Sequence, residues 1–223
     1  MLATRERFTA LCRRIGAKDN PKTGRTINST YDELARAYTG PDRHYHDINH
    51  ISDGLGDLDR AVFLAEDADA LEMAWWSHDF IYDPRSPYNE EESALRFTKF
   101  LLELGVRTAF RVKVVRRVMA TKHDYIPEST DDQLMVDIDL VPLALPQEAF
   151  SKNTLKKREE YREAVPNDDD FKRGTIDFFT KFLDKRISIY LTEYFRSRYE
   201  AQAKENINRL ISKLKLELAL KSA

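Results

Sequence analysis

The sequence predicts an all-α protein, and three observations lead there. Glycine and proline are scarce, 7 and 8 residues in a chain of 223. The prolines fall between periodic segments, as in helices joined by short loops. Apolar residues recur at helical spacing through most of the chain, whereas no segment alternates as a half-buried strand would. No internal repeat or low-complexity tract interrupts this pattern.

Helices are expected near residues 2–15, 30–39, 46–65, 68–82, 88–104, 107–122, 131–141, 152–164, 168–184 and 191–217. The first carries scattered charges in "MLATRERFTALCRRIG" and has no apolar core segment, so it does not read as a signal peptide. The second opens at Ser29 or Thr30 with Asp32 and Glu33 following in capping-box fashion, and Gly40-Pro41 stops it. The third shows a core stripe of Ile48, Ile51, Leu55, Leu58 and Val62. In the fourth, Leu71, Ala74, Trp75, His78 and Tyr82 share one face, and Asp83-Pro84 ends it. The fifth begins with Asn89-Glu90-Glu91-Glu92, acids that suit a helix N-terminus, and ends at Gly105. The sixth aligns Val112, Val115 and Met119 with His123. The seventh starts at Thr130-Asp131-Asp132 and turns Leu134, Ile138 and Val141 inward. "VPNDDDF", residues 165–171, reads as a loop and helix cap between the eighth and ninth helices. Phe178 and Phe182, then Tyr190 and Tyr194, give the C-terminal third an apolar face. The closing stretch "NRLISKLKLELALKSA" is amphipathic. It is either a surface helix or one packed on a second subunit of a homo-oligomer. Its mixed acids and bases speak against membrane binding.

A chain of this length with 42% hydrophobic residues can bury one proper core. We expect a single domain over residues 1–223, with its motifs at 28–141 and the helices of 152–217 packed on them. The net charge of −2 lacks the basic excess of a nucleic-acid binder. Cys12 is the one cysteine, which excludes a disulfide framework and fits a cytoplasmic setting. No run of about 18 apolar residues is present, so no membrane span is expected.

Polar residues on apolar faces carry the functional signal. His78 lies near the middle of its stripe and Asp79 on its flank. Burying an ionised carboxylate costs several kcal/mol, ~3 or more, unless it is paired or bound to a metal. The competing reading is a core histidine bonded to a carbonyl, with Asp79 paired to an arginine. Three of the five histidines, His44, His46 and His50, fall within "RHYHDINHI". His46 and His50 stand at i, i+4, on a face that also bears Asp53 and Asp57. Periodicity alone is compatible with that face lying in solvent. Burial on both sides is the alternative, and Gly54 and Gly56 would let another backbone approach. Asp137 and Asp139 interrupt an apolar segment, and periodicity favours Asp137 as the inward one. Two histidines and two aspartates form a nitrogen and oxygen donor set suited to Mn, Fe, Zn, Co or Mg. With positions left open, such an ion lowers the pKa of bound water to about 7. A nearby histidine can protonate a leaving group. Together these are the requirements for hydrolysing a phosphate ester.

"RHYHDINHI", "WWSHDFIYDPRSPYNEEESA", "ATKHD" and "DIDL", in that order, resemble the HD superfamily of metal-dependent phosphohydrolases. With "KREEYREAVPNDDDFKRG" and the segments after it, the likeness runs from Asn28 to Ile211. The resemblance implies a helical HD-type domain that hydrolyses a small phosphate ester, in the first instance a nucleotide. A non-catalytic nucleotide- or metal-binding module is the alternative. The resemblance makes His78 and Asp79 metal ligands. His46 to His50 is similar to the H-N-x-x-H element of cyclic-nucleotide phosphodiesterases, which makes His50 a ligand and His46 the general acid. Asp47 stands where that element has Asn, which weakens any implication of cyclic-nucleotide specificity. The Asp before Leu, Asp139, is implied as the last ligand, with Asp137 second. One divalent ion is expected, with Asp79 steering the attacking water and His123 beside the substrate. Arg43 and Lys122 are candidate phosphate contacts. Glu90 and Glu91 are candidates for orienting a ligand histidine, or simply place charge at a helix N-terminus.

Overall fold

The computed structural model describes residues 2–221. Among them are ten α-helices and no strand, the class the sequence predicts. In chain order they are α1 (Arg5–Arg14), α2 (Pro21–Tyr38), α3 (Ile48–Ala61), α4 (Ala68–Ser77), α5 (Asn89–Glu103), α6 (Thr108–Ala120), α7 (Thr130–Leu140), α8 (Gln147–Glu160), α9 (Asp168–Asp184) and α10 (Glu193–Lys221). Short 3-10 turns follow α3 at Val62–Leu64 and α7 at Val141–Ala144. No helix among the described residues is long and apolar enough to cross a membrane. The chain gathers into two compact units whose boundary falls between Ile138 and Asp139, inside the last turn of α7.

The first unit is built around α4. Every residue from Ala70 to His78 is buried, and α4 packs against α1, α3, α5 and α6. Trp76 meets Phe8 edge-on with ring centroids 5.4 Å apart, and Phe8 stacks on Phe100 at 5.8 Å. Burying a Phe fully contributes about 1.5–3 kcal/mol, so this cluster is a main source of the unit's stability. Trp75 faces the other way, onto α3. Its indole lies so close to Gly54 that a Cβ there would sit 1.9 Å from Trp75 Cζ2. The close approach expected at Gly54 is therefore real, but a side chain makes it rather than a backbone. Trp75 Nε1 donates to the Ile51 carbonyl at 2.9 Å, which fixes the indole against α3.

Ion pairs fasten the periphery of this unit. Glu72, on α4, accepts from Arg7 and Arg14 of α1, each at 2.8 Å. Arg117 and Asp131 form a buried pair between α6 and α7. Asp131 also accepts from the backbone N–H groups of Glu66 (2.8 Å) and Asp67 (3.0 Å), tying the start of α7 to the turn before α4.

Several helix limits differ from expectation, each for a local reason. α2 starts at Pro21, well before residue 30, because Asn20 caps it by accepting from the N–H of Thr23 and Pro21 suits a first helical position. α3 starts at Ile48, because the Asp47 carboxylate accepts from the N–H groups of Asn49 and His50 and so is the cap. His46 thus precedes the helix, and the i, i+4 relation to His50 is not a helical one. α4 ends at Ser77, leaving His78 as its cap and Tyr82 in the following loop. α8 is shifted to 147–160, starting directly after Pro146. The face expected of α6 is also wrong. Val112 is 59% exposed, and the buried side is Phe110, Val114, Arg117 and Val118. An arginine in the middle of the core face disguised it.

In the second unit, α10 packs on α9 and on the 3-10 turn, which also meets α8. Phe195, Ala203, Ile207, Leu210 and Leu214 form the buried stripe of α10. Asn206 is fully buried and donates to the carbonyls of Leu143 and Leu145, each at 2.8 Å. Tyr190 lies in the loop before α10 rather than on a helix face, and its hydroxyl donates to the Leu140 carbonyl at 2.9 Å. Phe182 is buried as expected, but Phe178 is exposed. In the closing amphipathic stretch, Leu210 and Leu214 turn inward and Leu216 and Leu220 outward, while Ser222 and Ala223 lie outside the described residues.

Candidate metal centre

The centre starts from two helix ends. The Asp47 cap begins α3 one turn before His50, so the imidazole of His50 leaves the first turn of that helix. His78 caps the C-terminal end of α4. Both imidazoles are buried, His50 at 7% exposure and His78 at 1%. Periodicity left the His50 face open between solvent and burial on both sides. The structure buries it because α3 packs on both sides, with Ser52, Gly54 and Asp57 buried as well as the Ile51 stripe.

His50 Nε2 and His78 Nε2 are 3.3 Å apart. His78 Nδ1 lies 2.9 Å from the Trp75 carbonyl oxygen. A carbonyl only accepts, so Nδ1 carries a proton and Nε2 faces inward. Trp75 stacks on the His78 ring with centroids 4.4 Å apart, fixing its plane. Asp139, half-buried in the last turn of α7, contributes a carboxylate oxygen to the same cluster. The three ligand atoms of His50, His78 and Asp139 lie within 4.8 Å of one another. α7 is continuous through this turn, so its first nine residues fix where Asp139 stands. Asp137, the choice by periodicity, is fully buried and is not in the cluster.

Asp79 adjoins these imidazoles. Its Oδ2 stands 2.9 Å from His78 Nε2 and 3.5 Å from His50 Nε2. It is nonetheless a buried oxygen that accepts no hydrogen bond. Lone pairs facing at that distance repel unless a proton or a cation lies between them. Burial would raise the Asp79 carboxyl, but the charges of His78, His46 and His50 outweigh it and hold it well below the usual carboxylate range. Among the described residues, no arginine side chain pairs with this carboxylate. Arg43 donates to the Asp79 carbonyl instead, at 2.7 Å, and to those of Phe80 (2.9 Å) and His46 (3.2 Å). Its role here is to tie the turn after His78 to the loop before α3.

An ion fits these residues on two grounds. Two imidazole nitrogens and a carboxylate oxygen suit the divalent ions named above, and the unbonded Asp79 Oδ2 gains a partner. A metal ligand histidine commonly donates its other N–H to a carbonyl, as His78 does.

The remaining sequence candidates are not part of this three-residue cluster. His46 is half-buried, with its ring centroid 5.9 Å from that of His50. Burial, with the Asp79 charge adding to it, pushes the Glu90 carboxyl up. Glu91 accepts from Lys122, which draws its carboxyl down and joins the start of α5 to the turn after α6. His123 follows in that turn with φ of 58°, a left-handed conformation that few residues other than glycine adopt. His44 is exposed. The sequence reading missed the rings around the histidines. Tyr45 is buried and tilts over His50 at 5.4 Å, and Tyr82 lies against His46 at 4.2 Å. The available signal was their placement within the two histidine motifs. No family model, curated protein or solved structure matches the chain.

Proposed function

We propose that this chain is a metal-dependent phosphohydrolase of the HD type, acting on a small phosphate ester such as a nucleotide. The observation that carries the reading is the convergence of His50, His78 and Asp139 within 4.8 Å beside the unbonded Asp79 oxygen. These four side chains would hold one divalent ion, which when bound supplies positive charge to a phosphoryl oxygen and acidifies water. Asp79 orients the attacking water through its carboxylate. The water oxygen bonds to phosphorus, releasing a proton to solvent, as the bond to the leaving oxygen breaks. His46, at the edge of the cluster, gives its proton to that leaving oxygen and regains one from solvent. Arg43 keeps the His78-Asp79 turn in place through its carbonyl bonds.

The test is elemental analysis of freshly purified protein, followed by a phosphate-release screen over nucleotide mono- and diesters with each of Mn, Fe, Zn, Co and Mg. We expect near-stoichiometric metal and turnover of at least one ester, both lost in His78→Ala. Bound metal with no turnover of any ester would instead mark a binding module.

A further inference from the structure

His46 sits in the loop before α3, so no helix sets the direction of its ring. Neighbouring aromatic side chains do. The ring of Tyr82 lies against it with centroids 4.2 Å apart and planes inclined by 36°. Tyr45 meets the same imidazole edge-on, at 4.8 Å and 86°. Arg43 lies over Tyr82, 5.2 Å from its centroid, and donates to the His46 carbonyl. Ring and backbone of His46 are therefore both tied to the pair of Arg43 and Tyr82.

We propose that Tyr82 is a positioning residue that aims the His46 imidazole at the leaving oxygen. The proposal rests on the hydrolase reading given above. A histidine on a loop has several staggered side-chain wells open to it. The Tyr82 ring, with its centroid 4.2 Å from that of His46, restricts which of them the imidazole occupies. Tyr45 limits the other direction of swing. Tyr82 touches none of the reacting atoms in this scheme, so its effect passes through His46. It also lies under Arg43, which bonds both the His46 and the Asp79 carbonyls. The proton donor and the carboxylate that steers water thus share a single brace.

The test is a double-mutant cycle between Tyr82 and His46 with a spectroscopic arm on metal-free protein. Melting temperature and metal content are matched across variants first. Should Tyr82→Leu fold poorly, Tyr82→Met replaces it in both arms. Tyr82→Leu is expected to lower kcat about 10²-fold, the scale of a misplaced catalytic group, with KM unchanged. In a His46→Ala background it should add no further loss, and Tyr82→Phe should recover most of the rate. In the metal-free protein, ring protons of His46, assigned by their absence in His46→Ala, should resonate upfield. Tyr82→Phe should keep that shift and Tyr82→Leu remove it. A full additional loss in the His46→Ala background, or ring shifts indifferent to Tyr82→Leu, overturns the proposal and leaves the hydrolase reading standing. A wild-type protein that releases phosphate from no ester fails at the earlier step and takes both readings with it.

Discussion

The decisive atoms are few. Asp139 and Asp137 sit two residues apart on α7, yet one supplies an oxygen to the cluster and the other is sealed in the core. Asp139→Asn should therefore strip the metal from folded protein, whereas Asp137→Asn should leave metal content intact in whatever fraction folds. Elemental analysis of both variants separates them. His46→Ala should retain the metal but slow turnover by ~10²–10⁴-fold, the range for losing a general acid. Steady-state kinetics beside metal content would check this, and loss of the metal would make His46 a ligand. At this scale much was legible. His50, His78 and Asp139 stand together in the structure as the motif order implied, and buried His78 has the carbonyl partner that the competing reading gave it. What was not legible was the His50 face. Its helix shows a clean apolar stripe on the opposite side, and periodicity has no means of reporting that a second face is covered.

Helix contacts explain why that face is covered. Gly54 lets the Trp75 indole drop onto α3, and the same tryptophan holds His78 through its carbonyl and its ring. Gly54→Ala should destabilise the fold by about 1–3 kcal/mol, the usual scale of overpacking, and weaken metal binding as α3 and α4 part. Thermal melts and metal titration of the variant test the two effects together. The sequence hinted at this through its glycines without showing what would fill the space. Other helices were legible in kind but not in extent. α2 reaches back through "PKTGRTINS", polar residues whose only helical signal is Asn20-Pro21. α6 misled because Arg117 occupies its core face, paired with an Asp131 that the sequence offered only as a first-turn acid. In the second unit, Glu200 accepts from the backbone of Ile189 and Tyr190, from Ser188 and from Lys204. Burial would raise its carboxyl. The bond to Lys204 and those from Ile189, Tyr190 and Ser188 outweigh that and lower it from 4.5. A depressed folded value means the stabilisation is complete above pH 4.5 and fades as pH falls through the folded value. Glu200→Gln should thus melt below the wild type at neutral pH, and the gap should close on acidification.

For the molecule as a whole, an ion held by the folded chain and not by the unfolded one must raise its stability. Binding at 100 times Kd contributes about 2.7 kcal/mol. Calorimetry should show the melting temperature rising with added metal and falling back with a chelator. His78→Ala should abolish that response while keeping its own melting transition. The all-helical class was legible from the scarcity of glycine and proline and from the spacing of apolar residues. The division inside α7 was not, because the helix runs through it without any change in composition. The proton on His78 Nδ1 has one more consequence. The ring already faces inward in the correct tautomer, so capture of an ion demands no rearrangement of α4. Loading should then be a rapid single-exponential event whose rate follows ion dehydration, and the emptied and filled proteins should superimpose along that helix.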